Sequence, residues 1–263
     1  MLSCGIDVGS LTVQIVLLED ETLRASVSLR VEPHPVASAE RALAALRERS
    51  DADARAAAAT LATGYGRQQL VARGLAGAEA SEIACHARGA SFLMPAVRTV
   101  IDVGGQDAKV IRVDAAGELA NFVMNDKCAS GTGRFLEAMA RTLRVELSEL
   151  GPLAGRASAP IELASRCGIF CETELLHHLQ RGARRPELAA GVARAMATRV
   201  AALARRLGPL EREVTMSGGV AKNAAVRAEL ERMLGVPLRA CPIDPQLVGA
   251  LGAALLAAEG GRR

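Results

Sequence analysis

Ile101-Asp102-Val103-Gly104-Gly105 is an apolar run that breaks off in an acid and two glycines. It echoes Ile6-Asp7-Val8-Gly9-Ser10 at the start of the chain, 95 positions earlier (102 − 7). Each stretch reads as a buried strand ending in a tight turn, because a β-rich run that meets Gly is punctuated there. Thr12–Leu18 and Leu23–Val31 read as second and third strands after the first copy, and Lys109–Val113 and Leu119–Met124 as the same pair after the second. Helical spacing follows in both places. A strand-to-turn device that recurs with its flanks is an internal repeat. It implies an α/β chain of two like-folded lobes, each presenting an Asp-Val-Gly turn. Lobe I is expected over residues 1–96, with 243–263 returning to it, and lobe II over 97–242.

The remaining pattern fills in around the repeat. Ser38–Arg49 has helical spacing, and the Ala-rich run Ala56–Thr63 suits a strand or a helix. Gly64-Tyr65-Gly66-Arg67 is a turn, and Ser81 caps a helix opening at Glu82. Helices are predicted over 135–143, 167–180, 189–207, 221–234 and 246–258, with strands at 214–217 and 236–238.

Composition narrows the function. Half of the 263 residues are hydrophobic and only 2% are aromatic, so the core is built from Ala, Leu, Val and Ile. The 32 basic and 29 acidic residues nearly balance and are scattered. With one Tyr and four Phe there is little on which to stack bases, so no nucleic-acid partner is expected. The apolar run from Leu247 to Ala258 is too short to span a bilayer, and no signal peptide is visible. The expectation is a soluble, cytoplasmic chain without a membrane partner, whose six cysteines are reduced, metal-binding or inert rather than disulfide-bonded.

Two Asp-Val-Gly turns facing one another make a phosphate clamp. Glycine lets backbone amides approach phosphate oxygens. Gly9, Ser10, Thr12, Gly104 and Gly105 supply the turns, and Asp7 and Asp102 can hold Mg²⁺ through water. Gln106 or Asp107 is placed to orient an attacking water. Ser217-Gly218-Gly219-Val220-Ala221-Lys222-Asn223 is a further strand-turn-helix, whose Gly218, Gly219, Lys222 and Asn223 can seat a nucleoside. The chain has no Walker A run and no complete G-x-G-x-x-G, which argues against P-loop and dinucleotide folds.

The cysteines add a second chemistry. Cys128, in Asn125-Asp126-Lys127-Cys128-Ala129-Ser130-Gly131-Thr132-Gly133, sits at or just before a helix N-terminus. Unpaired N–H groups and the helix dipole there favour an anion such as a thiolate. A capped helix with a buried, inert thiol fits that stretch as well. Cys167 precedes a second helix, with Cys171 four residues on. No compact four-cysteine pattern exists within the chain, but Cys128 and Cys167 from each of two subunits supply four thiolates at a two-fold axis, a set that suits an iron–sulfur cluster. Cys4, Cys85 and Cys241 stand alone on or beside apolar elements and read as packing residues.

Taken together, Gly5–Ser10, Thr63–Arg67, Ser81-Glu82-Ile83-Ala84-Cys85-His86-Ala87, Ile101–Asp107, Asn125–Phe135, Gly218–Asn223 and Pro245-Gln246 resemble the ATP-dependent activators of 2-hydroxyacyl-CoA dehydratases and the related ATPase subunits of benzoyl-CoA reductase. The resemblance implies the actin/Hsp70/sugar-kinase-like (duplicated ribonuclease H-like) fold with ATP/ADP and Mg²⁺ in an inter-lobe cleft. It implies a homodimer bridged by one [4Fe–4S] cluster on Cys128 and Cys167 of each subunit. ATP hydrolysis would drive a low-potential electron, received from a donor such as ferredoxin or flavodoxin, to the iron–sulfur component of a dehydratase or reductase in anaerobic metabolism. Gln14 stands where the family often carries Lys, and Cys171 where Ala is usual; Cys171 reads as a bystander. A small-metabolite kinase of the same fold is the alternative: it needs a carboxylate such as Asp102 or Asp107 but no use for Cys128 and Cys167. A non-catalytic scaffold of the fold ranks third.

Overall fold

The structure, a computed structural model, describes residues 1–50, 52–125 and 131–260. In chain order it contains β1 (Leu2–Val8), β2 (Thr12–Glu19), β3 (Thr22–Arg30), α1 (Pro35–Ser50), β4 (Ala59–Gly64), α2 (Arg67–Ala72), β5 (Ala78–Glu79) and α3 (Glu82–Leu93). Then come β6 (Thr99–Val103), β7 (Ala108–Val113), β8 (Leu119–Met124), α4 (Gly133–Leu143), α5 (Leu150–Ala154), α6 (Gly168–Gln180) and α7 (Arg185–Arg206). The chain ends through β9 (Val214–Ser217), α8 (Ala224–Leu234), β10 (Leu238–Arg239) and α9 (Val248–Gly260). The strands form two five-stranded sheets, ordered β3-β2-β1-β4-β5 and β10-β9-β6-β7-β8. The chain divides into two compact units. One comprises Met1–Val100, Ile111–Phe122 and Cys241–Arg263; the other comprises Ile101–Val110 and Val123–Ala240.

In the first unit β1 pairs antiparallel with β2 and parallel with β4. Both sheet faces are covered, so β2 is buried continuously from Val13 to Leu18 rather than at alternate residues. Val13, Ile15 and Leu17 pack with Ala39, Ala42 and Leu46 of α1, while Val16 and Leu18 pack with Leu251 and Leu255 of α9. The α9 helix is apolar on every side, as a helix buried all round must be. A methyl group on Gly252 would stand 1.8 Å from the Cys85 carbonyl oxygen, so α9 lies directly on α3. In the second unit Ile101, Val103 and Val110 meet Phe135, Met139 and Leu143 of α4, with Leu175, Met196, Val200 and Leu230 completing the core.

The expected strands and long helices are present. The short elements differ. Residues 67–72 form α2, directly after the turn expected at Gly64–Arg67, and neither α2 nor α5 was foreseen; helices of five or six residues carry too few positions to show a period. The helix expected over 221–234 is broken at Asn223, whose side-chain oxygen accepts from the Val226 amide at 3.1 Å and starts α8 afresh. The strand expected at 236–238 lies at Leu238–Arg239, after Pro237, which has no N–H for a ladder. Among the described residues no helix is long and apolar enough to cross a membrane.

Candidate active site

The repeat read from sequence reappears in the hydrogen bonding. In the first unit the Gly9 amide donates to the Thr12 carbonyl at 3.0 Å; in the second the Gly104 amide donates to the Asp107 carbonyl at 3.0 Å. Donor and acceptor are displaced by the same 95 positions (104 − 9, 107 − 12). Each bond closes the turn that follows an Asp-Val pair. Ser10 and Thr12 are half-buried on the first turn; Gly105 is half-buried and Gln106 exposed on the second.

A second correspondence was not visible in sequence. Gly64 ends β4 with φ +83°, and Gly218 follows β9 with φ +82°. A methyl on Gly64 would stand 2.4 Å from the Val8 carbonyl oxygen and 2.5 Å from Asp7 Oδ1. A methyl on Gly218 would stand 2.4 Å from the Val103 carbonyl oxygen and 2.8 Å from Asp102 Oδ1. Each aspartate therefore lies against a bare, left-handed glycine at the end of a neighbouring strand. A side chain there is excluded twice, by backbone conformation and by space. On its other side Asp7 Oδ2 comes close to Gly249, where His86 Nε2 also points: a methyl on Gly249 would meet them at 2.5 and 3.0 Å.

The two aspartates differ in electrostatics. Ser217 Oγ donates to Asp102 Oδ1 at 3.0 Å, and Lys109 Nζ lies 3.4 Å from Asp102 Oδ2 and 2.9 Å from Asp107 Oδ1. All three charged groups are buried, and one ammonium between two carboxylates is how such charges are tolerated. The equivalent position in the first unit (109 − 95) is Gln14, which lies opposite Asp7 in the β1–β2 register and donates to Ser28 Oγ at 3.2 Å. Lys109 was passed over in sequence as a strand residue; its place opposite Gln14 in the repeat was the available signal. Asp107 is thus engaged with Lys109, whereas Gln106 faces solvent.

Around the late glycine turn, Gly219 and Lys222 are exposed, and Asn223 spends its side-chain oxygen on capping α8. The helix N-terminus after the first cysteine stretch needs a correction. The Gly133 and Arg134 amides that open α4 are not unpaired: they donate to the carbonyls of Gly104 and Gly105 at 2.8 and 2.9 Å. Backbone oxygens of the second Asp turn have taken the donors that an anion would have used.

Cys128 lies outside the described residues. Cys167 is the N-cap of α6, half-buried, with extended backbone and its carbonyl accepting from the Cys171 amide at 3.0 Å. Cys171 is fully buried, and burial, then Glu174 and Glu172, push its thiol up to about 12. Cys4 is pushed to about 12 by burial alone. Cys85 reaches about 12 by burial, with a Thr63 hydrogen bond opposing and Asp7 and Glu82 adding to the rise. Those three thiols are packing groups; Cys241, half-buried, is raised too, by burial first. Cys167 differs from them in standing half-buried at a helix start. Among the described residues no three His, Cys, Asp or Glu groups gather as a metal site.

A ROK family glucokinase from Streptomyces griseus superposes with a TM-score of 0.61 at 15% identity, over 99% of this chain and 100% of that one, a likeness of fold alone. The fold is accordingly the α/β, actin- and sugar-kinase-like one. The crystal structure of the Acidaminococcus fermentans (R)-2-hydroxyglutaryl-CoA dehydratase component A matches with a TM-score of 0.94 at 42% identity, over 100% of both chains. The activator of the 2-hydroxyisocaproyl-CoA dehydratase from Clostridium difficile, with bound ADPNP, matches with a TM-score of 0.93 at 38% identity, over 100% of this chain and 96% of that one. In sequence, the (R)-2-hydroxyglutaryl-CoA dehydratase activating ATPase of Acidaminococcus fermentans is 44% identical over 253 residues, 96% of this chain and 95% of the relative. With residues 4–257 matching the family model, the chain belongs to the BadF/BadG/BcrA/BcrD ATPase family.

Proposed function

We propose that this chain is an ATP-hydrolysing activator that passes a low-potential electron from a [4Fe–4S] cluster, shared by two copies of the chain, to a 2-hydroxyacyl-CoA dehydratase or benzoyl-CoA reductase-type partner. The division into lobe I (1–96 with 243–263) and lobe II (97–242) belongs to the same proposal. The observation that carries it is the environment of Cys167: a half-buried N-cap thiol in an ATPase-family chain whose Cys4, Cys85 and Cys171 are sealed in its cores. One cysteine cannot hold a cluster. Cys128 and the same pair from a second copy complete four thiolates. The cluster, when bound, supplies one-electron chemistry.

The chain's own residues do the rest. Asp7 and Asp102 are the Mg²⁺-directed carboxylates. Gly9, Ser10, Thr12, Gly104, Gly105, Gly218, Gly219, Lys222 and Asn223 are the nucleotide-binding residues, and Gln106 orients water. Asp107 acts through Lys109, which it holds beside Asp102. The hydrogen bonds from Gly133 and Arg134 to Gly104 and Gly105 tie the start of α4 to the phosphate turn, so a nucleotide-dependent shift of that turn moves α4 with it. The test is a redox titration of the reconstituted protein with ADP and with a non-hydrolysable ATP analogue. A potential that differs between the two supports nucleotide-driven electron transfer. Identical potentials together with phosphoryl transfer to a small hydroxyl compound would favour the kinase reading.

A further inference from the structure

Arg199, in the middle of α7, holds the turn that carries Cys167 from behind. Its Nη1 donates to the Ser165 carbonyl at 2.7 Å and to the Arg166 carbonyl. Those are the two residues immediately before Cys167. The stem of the same side chain backs the other approach: a methyl on Gly131 would stand 3.4 Å from Arg199 Cβ and 3.5 Å from Nε. Gly131 has φ +141° and leads into α4. A guanidinium is a planar fork of donors, so two consecutive carbonyls on one nitrogen fix the orientation of the peptide between them. The body of α6 has other anchors. Thr142 Oγ1 bonds Glu172 at 2.8 Å, and Glu174 accepts from the Ala164 amide at 2.6 Å. The bonds of Arg199, by contrast, grip the peptide leading directly into the Cys167 N-cap.

We infer that Arg199 is a positioning residue for the Cys167 turn, pinning it to α7 so that the thiol is presented in one orientation. Its consequence for a cluster rests on the function proposed above; its hold on the turn does not. Lysine keeps the charge and a nitrogen with several donors but lacks the planar, pre-oriented guanidinium, and glutamine loses the charge and much of the reach as well.

The test uses the full chain as Arg199→Gln and Arg199→Lys. In the metal-free proteins, amide hydrogen exchange is followed over peptides covering 160–170. In protein reconstituted with iron and sulfide, the rate of iron release to a chelator is followed. For Arg199→Gln the inference expects exchange across 164–168 about tenfold faster, exchange over 2–30 unchanged, and iron lost about tenfold faster, with Arg199→Lys intermediate in both. Unchanged exchange in 164–168 overturns the inference whatever the iron content. Faster exchange with iron release at the wild-type rate overturns it as well. Wild-type protein that takes up no iron is a failure of the cluster reading; the exchange result alone then decides on Arg199. Should Arg199→Gln not fold, Arg199→Lys is judged on the same readouts.

Discussion

At Asp102 a buried ammonium, Lys109, stands 3.4 Å from the carboxylate, whereas the matching strand position beside Asp7 holds the neutral Gln14. A cation nearby competes with Mg²⁺ for a carboxylate. Under the proposed function Asp7 is the more strongly Mg²⁺-directed carboxylate of the two, and Asp7→Asn should raise the Mg²⁺ concentration for half-maximal ATP hydrolysis about tenfold, more than Asp102→Asn does. Equal shifts in a Mg²⁺ titration would contradict this. Gln106, exposed on its turn, should carry the water-orienting role. Gln106→Ala should lower kcat about 100-fold with nucleotide Kd within a few-fold, read by steady-state kinetics and calorimetry.

The buried thiols give a pH prediction. Cys171 stays protonated to about 12 in the folded chain but ionises from its ordinary 9.0 once unfolded. The folded state then binds the extra proton, so the thiol's contribution is whole below about pH 9 and is lost as pH climbs from 9 towards 12, by up to ~1.4 kcal/mol per pH unit. Cys171→Ala should cost about 1 kcal/mol at pH 7 through lost packing, yet move the alkaline unfolding midpoint to higher pH, as followed by circular dichroism. The places of Asp7 and Asp102 near strand ends and of Cys167 at a helix start were legible, because runs of β-rich residues broken by Gly and the onset of helical spacing are distinctive patterns. Lys109 was not, because a lysine in a strand ordinarily lies on a solvated face, and only burial at 3% exposure shows otherwise.

Among the elements, the two strand ends that back the aspartates are the most constrained. Gly64→Ala and Gly218→Ala each combine a positive φ with contacts of 2.4 Å to backbone oxygen, and each should lower stability by at least ~2 kcal/mol in chemical denaturation. Gly74→Ala is the control: φ is +71° but nothing lies within 4 Å, so the cost should be about 1 kcal/mol, from conformation alone. Losses of equal size at all three would show that space around the aspartates is not limiting. The pairing of Gly64 with Gly218 escaped the sequence because the two lie 154 positions apart (218 − 64), not at the offset of the repeat. They become equivalent only once β4 is seen beside β1. The start of α4 was misjudged for a related reason: a helix N-terminus shows its own open donors, not the Gly104 and Gly105 carbonyls that the turn brings to them.

For the whole molecule, the duplicated strand-turn pattern was enough to read an α/β chain built from two halves, since β-period and Gly punctuation survive any change of core residue. Ala-rich helices and strands without aromatics kept their boundaries hidden, as at Ala56–Thr63, where β4 occupies Ala59–Gly64. What joins the ATPase turns to a redox centre is a claim about two copies of the chain, and it is tested most directly by counting iron and sulfide per dimer in protein purified without oxygen. The account predicts about four of each with visible absorbance in the wild type and in Cys171→Ala, and none in Cys128→Ala or Cys167→Ala. A colourless, iron-free wild-type protein after reconstitution, or an intact cluster in Cys167→Ala, would contradict it.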